Sequence, residues 1–163
     1  MHLSGSCHCG KVKFSLTSKH PYPFNLCYCS ICRKTAGGGG YAINLGGDAA
    51  TLKVTGQRHI GIYHARLQEP GARARRSPAE RHFCTRCGSA LWLYDKRWPA
   101  LIHPFASAID TPLPVPRATT HIMLGSKAGW VAPQFGRRDK RFEDYPDESI
   151  ADWHDRTGST DDG

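Results

Sequence analysis

All seven cysteines of the chain fall in three short clusters: Cys7-His8-Cys9-Gly10, Cys27-Tyr28-Cys29-Ser30-Ile31-Cys32 and Cys84-Thr85-Arg86-Cys87-Gly88. Two cysteines separated by one or two residues in a tight turn can aim both sulfurs at one ion, and zinc takes about four such ligands in a tetrahedron. Gly10 and Gly88 directly follow the outer pairs and supply residues that accept positive φ where such turns close. Each outer pair provides half a tetrahedron, so the spacing assigns Cys7, Cys9, Cys84 and Cys87 to one closed, structural ion. The middle cluster then offers Cys27, Cys29 and Cys32 to a second ion. Three thiolates leave its fourth position open, which is what separates a catalytic zinc from a structural one.

Other arrangements of the same residues stay open. Cys7 and Cys9 could join two of the middle cysteines, although one thiol is then stranded. The thiols could be ordinary small hydrophobes of a core. Both ions could be structural, with one of His8, His59, His64, His82, His103 or His121 filling the last position. An odd number of cysteines argues against a complete disulfide framework. Met1-His2-Leu3-Ser4-Gly5 has no apolar signal core, so a cytoplasmic protein is expected, where clustered thiols serve as ligands or catalysts.

The elements that must carry these clusters read as short strands. Val12, Phe14 and Leu16 alternate with polar residues, and similar period-two patterning marks 41–45, 52–55, 58–63, 81–83, 90–94, 101–105 and 119–124. One helix has a start signal, from Asp147 to His154, opened by Pro146 or Asp147. The stretch 68–79 is polar and basic and reads as an exposed loop. The expected class is therefore mainly β, of short antiparallel strands with little helix. With 163 residues the chain is one domain, placed at 1–155, followed by a disordered polar tail at 156–163. No apolar run approaches the ~20 residues that span a bilayer.

The formal net charge is +8, concentrated at Arg73, Arg75, Arg76 and Arg81 and again at Arg137, Arg138, Lys140 and Arg141. Such charge attracts anionic ligands or nucleic acid, or is a solvated surface that offsets zinc–thiolate centres. No helix-turn-helix, zinc-finger or aromatic RNA-binding signature accompanies it, which leaves nucleic acid the lesser alternative. A homo-oligomer is left open.

Gly5-Ser6-Cys7-His8-Cys9-Gly10-Lys11-Val12 with Phe14, then Cys27 to Lys34, then Phe83-Cys84-Thr85-Arg86-Cys87-Gly88-Ser89, together resemble the glutathione-dependent formaldehyde-activating enzyme family. That family also contains the domain of centromere protein V. The resemblance spans roughly residues 3–135, with Trp130 fitting as well. It implies a β-tent fold, two zinc ions and the same division of the cysteines into four and three. It also implies the condensation of formaldehyde with glutathione, filed among carbon–sulfur lyases. On that basis Cys27, Cys29 and Cys32 are the candidate catalytic residues. Glutathione carries two carboxylates, and Arg33 and Lys34 are the nearest cations in sequence to receive them. Gly37 to Gly40 could let a ligand approach the backbone, or could simply connect to the strand at Tyr41. His82, Tyr28, Trp92 and Trp130 are residues that pack or line the site. The competing reading is a zinc-stapled binding module that uses its basic surface.

Overall fold

Phe14 and Leu16 point inward and Lys13 and Thr17 outward, and this alternation continues through most of the strands. The computed structural model describes residues 1–68 and 71–161. In chain order its elements are β1 (His2–Ser6), β2 (Lys13–Thr17), β3 (Asn25–Cys27), α1 (Ser30–Ala36), β4 (Ala42–Ile43), β5 (Gly47–Asp48), β6 (Lys53–Thr55) and β7 (Ile60–Tyr63). There follow β8 (Arg66–Leu67), β9 (Arg75–Arg76), β10 (Glu80–Cys84), β11 (Ala90–Tyr94), β12 (Leu101–Pro104), β13 (Thr120–Ile122), β14 (Lys140–Arg141) and α2 (Ile150–Thr157). The protein is mainly β.

A five-stranded antiparallel sheet, ordered β5-β12-β11-β10-β7, forms the centre. Its pairing slips between β10 and β11: His82 opposes Trp92 while Phe83 opposes Ala90, so Leu91 is the extra residue of a bulge. The bulge lets the successive residues Leu91 and Trp92 pack into the same cluster. Trp92 and Tyr94 pack into one cluster with Phe14, Leu16 and Ile102, and Trp92 meets Phe14 edge-on at 5.1 Å. Ala90 and Leu93 pack into another cluster with Cys27, Cys32, Phe105 and Ile122. The three-stranded sheet β1-β2-β6 supplies the outer wall of the first cluster, and the sheet β14-β13-β3-β4 supplies that of the second.

Several expectations are corrected. The pairing is mostly antiparallel as expected, and the exceptions are those of β13, which runs parallel to both β3 and β14. Helix α1 was not anticipated, since its cap is a cysteine rather than a Ser, Thr, Asp or Asn. Helix α2 begins at Ile150 instead of Asp147, because Ser149 accepts from the Asp152 N–H and Asp152 reaches back to Ser149 in a reciprocal cap. The loop expected at 68–79 carries β9, paired with β8, while its residues 69–70 lie outside the described residues. The tail expected from 156 instead continues α2 through Thr157 to a left-handed Gly158, and the Asp161 N–H donates to the Lys19 carbonyl. Residues 162–163 of that tail lie outside the described residues.

Candidate metal centres

A four-residue and a five-residue turn shape the first centre. The Gly10 N–H donates to the Cys7 carbonyl at 2.9 Å, and the Gly88 N–H donates to the Cys84 carbonyl at 2.8 Å. Both glycines hold positive φ, 70° and 77°, the conformation that closes each turn with its sulfurs on one side. The turns meet: Cys7 Sγ lies 3.5 Å from Cys9 Sγ, and Cys9 Sγ lies 3.8 Å from Cys84 Sγ. All four sulfurs, with Cys87, fall within 4.8 Å of one another. A tetrahedral zinc with Zn–S bonds of about 2.3 Å needs sulfurs about 3.8 Å apart, so the set fits such an ion. Cys7 and Cys84 are buried while Cys9 and Cys87 are exposed, so the centre is anchored in the core at one edge only. The Ser89 hydroxyl, 3.2 Å from Cys87 Sγ, leads the interactions that pull that thiol down to about 5.

The second centre is built by the junction of β3 and α1. Cys27 ends the strand, Cys29 is the helix cap and accepts from the Cys32 N–H at 3.3 Å, and Cys32 lies in the first turn. Their sulfurs also lie within 4.8 Å of one another, and no His, Asp or Glu of the described residues joins them. Hydrogen bonds from Cys27 and Cys32 pull Cys29 down to about 2, while the bond to Cys29 pushes Cys27 up.

None of the histidines considered as ligands joins either sulfur group, and His64, His82, His103 and His121 make other contacts. The buried His121 meets the Tyr28 hydroxyl through Nδ1 at 2.8 Å and Thr119 through Nε2 at 3.0 Å. His103 pairs with the Leu45 carbonyl and His64 with that of Ser77. His82 stacks on Trp92 and faces Glu80 at 3.7 Å. Tyr28 and Trp92 are core residues, and Trp130 is exposed over a separate cavity. Gly37 to Gly40 form a turn, closed by the Gly40 N–H to the Gly37 carbonyl at 3.0 Å.

Arg33 and Lys34 sit on α1 just past Cys32. Arg33 is half-buried with its Nε unpartnered, and Lys34 is exposed. Closer to the sulfurs is a residue that sequence reading left among the surface charges. Arg81, on β10, places Nη2 3.7 Å from Cys32 Sγ and donates from Nη1 to Thr35 Oγ1 at 3.3 Å. Beside it lies a cavity of about 360 Å³ lined by Thr35, Tyr63, Arg81, Phe83, Gly88 and Phe105. Tyr145 was also missed as a neighbour. Desolvation and then the charge of Cys27, Cys29 and Cys32 push its phenol up, which puts it within electrostatic reach of the cluster. A larger cavity of about 710 Å³ is lined by Ile60, Ile62, His82, Trp92, Tyr94 and Ile102; His82 lines both cavities, and none of the seven cysteines lines either. Ile60, Trp92, Tyr94 and Ile102 of the larger cavity pack in the first cluster, whereas Arg81 and Thr35, the residues that link to α1 and Cys32, line the smaller one.

Residues 2–125 match the family described as glutathione-dependent formaldehyde-activating enzyme. That match ends before Trp130, ten residues short of the span expected from the motifs. A protein of Halomonas elongata named "Putative glutathione-dependent formaldehyde-activating enzyme" is 60% identical over 158 residues, covering 97% of this chain and 98% of its own. A solved Rhodobacter sphaeroides protein aligns with a TM-score of 0.49 and 23% identity, covering 68% of this chain and 91% of that one.

Proposed function

Because the chain belongs to the glutathione-dependent formaldehyde-activating enzyme family, we propose that it joins formaldehyde or another small aldehyde to a thiol such as glutathione. The reaction is of the carbon–sulfur lyase type, written in the direction of synthesis. The thiol sulfur attacks the carbonyl carbon, the carbonyl π pair moves to oxygen, and the proton lost by the thiol ends there. No further reactant is needed. The observation that carries this reading is the group of three sulfurs, Cys27, Cys29 and Cys32, which no other side chain of the described residues completes.

Zinc held by Cys27, Cys29 and Cys32 would supply positive charge that favours the thiolate of an incoming thiol, while zinc on Cys7, Cys9, Cys84 and Cys87 would staple the two turns. The chain's own contribution is placement. The β3–α1 junction fixes three sulfurs on the wall of a buried cluster, and Phe105 and Ile122 keep their inner side dry. Arg33 and Lys34 put two cations on the helix that carries Cys32, where they would meet the carboxylates of the co-substrate. No described helix is long and apolar enough to cross a membrane, and the reducing cytoplasm is the proposed setting.

The test is metal content per chain in protein purified without chelator, repeated for a Cys29→Ala, Cys32→Ala double variant, with the S-hydroxymethyl product followed by NMR. Two zinc ions should fall to one in a variant that stays folded and makes no product. A single ion in the parent, indifferent to those substitutions, would sink the reading.

A further inference from the structure

Arg81 is half-buried, and among the described residues no carboxylate pairs with it. A guanidinium carries five N–H donors in a planar fork. Two of its nitrogens are committed, Nη1 to Thr35 Oγ1 and Nη2 toward Cys32 Sγ. Thr35 is itself fixed, since its hydroxyl also donates to the Ile31 carbonyl at 2.7 Å. The fork is therefore held by α1 at the wall of the cavity it lines, with three of its five N–H donors uncommitted. Across the ladder Arg81 lies directly opposite Tyr63, an aromatic left 45% exposed that lines the same cavity. The floor is Phe105, fully buried, and Gly88 leaves the rim open beside the four-cysteine turn. A volume of about 360 Å³ lies at the small end of the range for sites that take small molecules.

We propose that this cavity is the seat of the thiol co-substrate and that Arg81 binds a carboxylate of it, orienting its sulfur toward Cys27, Cys29 and Cys32. This rests on the thiol–aldehyde reading above. It names the ligand class, a thiol bearing a carboxylate a few bonds from its sulfur, and makes Arg81 a specificity-determining residue. The guanidinium is pre-oriented and pairs with no carboxylate of the described residues, and a planar anion is the partner its geometry accepts in a two-point contact. Arg33 and Lys34 would then be left for the second carboxylate of a molecule such as glutathione. The neighbouring Cys32 sulfur offers a competing role, in which Arg81 only balances the charge of the cluster, and the two roles differ in what they predict.

The experiment uses the metal-loaded protein and two blocked probes, S-methylglutathione and its diethyl ester, so that binding is read by calorimetry without any reaction. The parent should prefer the acid over the ester by about tenfold or more, as expected for a charge-assisted contact. Arg81→Gln should lose most of that preference through weaker binding of the acid, with unchanged metal content and unchanged affinity for the ester. Arg81→Lys keeps the charge without the fork, and should recover the preference in part. An Arg81→Gln protein that keeps the full preference would overturn the proposal. So would one in which metal content falls and both probes weaken alike, because Arg81 would then serve the cluster. If the parent forms no S-hydroxymethyl product from any thiol yet shows the Arg81-dependent preference, the reaction falls and the carboxylate site stands.

Discussion

Cys29 shows how one atom can serve structure and chemistry together. Its sulfur caps α1 by accepting from the Cys32 N–H, and it sits between Cys27 and Cys32. Serine is a good N-cap, so Cys29→Ser should keep the helix and shift stability by no more than about 1 kcal/mol. It should nevertheless abolish metal binding at the three-sulfur centre. Cys84 is a different case. It is fully buried and joins β10 to the paired turns, where structural zinc is worth on the order of 10 kcal/mol of folding free energy. Cys84→Ser should unfold the protein or lower its melting temperature severely. Thermal melts read beside metal content would distinguish the two, and equal unfolding by both substitutions would contradict a separable second centre.

At the scale of elements, α2 is the piece that closes the structure over the lead-in to β3. Trp153 stacks flat on Phe24, with ring centroids 3.9 Å apart and planes 8° apart. His154 donates from Nδ1 to the Ile150 carbonyl at 2.7 Å and accepts the Tyr22 N–H at Nε2 at 3.2 Å. The C-terminal segment thus packs on its own domain. Ser149→Ala removes the cap and should cost about 1 kcal/mol in urea unfolding. Trp153→Ala opens a cavity against Phe24 and should cost about 3–5 kcal/mol. Neither touches a cysteine, so metal content should not change. Loss of metal in Ser149→Ala would show that α2 supports the centre directly.

For the whole molecule, the shared vulnerability is acid. Burial lowers His82, His103, His121 and His154 below their ordinary value. In the unfolded chain each would titrate near 6.5, so below that pH the unfolded state binds more protons than the folded one. The stabilisation is therefore complete above about pH 6.5 and is lost as pH falls through and below that value. His154 is the sharpest case, because it is fully buried and its Nε2 accepts a backbone N–H. A protonated ring would set donor against donor. His154→Gln should flatten the decline of melting temperature with acid while lowering stability at neutral pH. An unchanged slope would remove His154 from the acid sensitivity and leave it to the other histidines and the thiolates.

The three cysteine clusters and the mainly β character were legible in the sequence because each is a local pattern, whereas the meeting of Cys9 with Cys84 joins residues 75 positions apart. Two sulfurs one or two residues apart share a turn whatever surrounds them, and alternation along β2 or β11 needs no partner to be recognised. The family motifs are local in the same sense. What needed the tertiary structure is whatever depends on residues far apart in the chain. Arg81 is 49 positions from Cys32 and was one surface cation among many until β10 was laid against α1. Helix α1, seven residues long with a sulfur for a cap, carried no start signal and exists because Cys27, Cys29 and Cys32 pack into one cluster with Phe105 and Ile122. The parallel pairing of β13 with β3 likewise joins segments nearly a hundred residues apart. Spacing along the chain dictated which atoms can bind a metal. Packing between distant strands decided which charge and which cavity stand beside them, because those contacts have no signature in any short stretch of sequence.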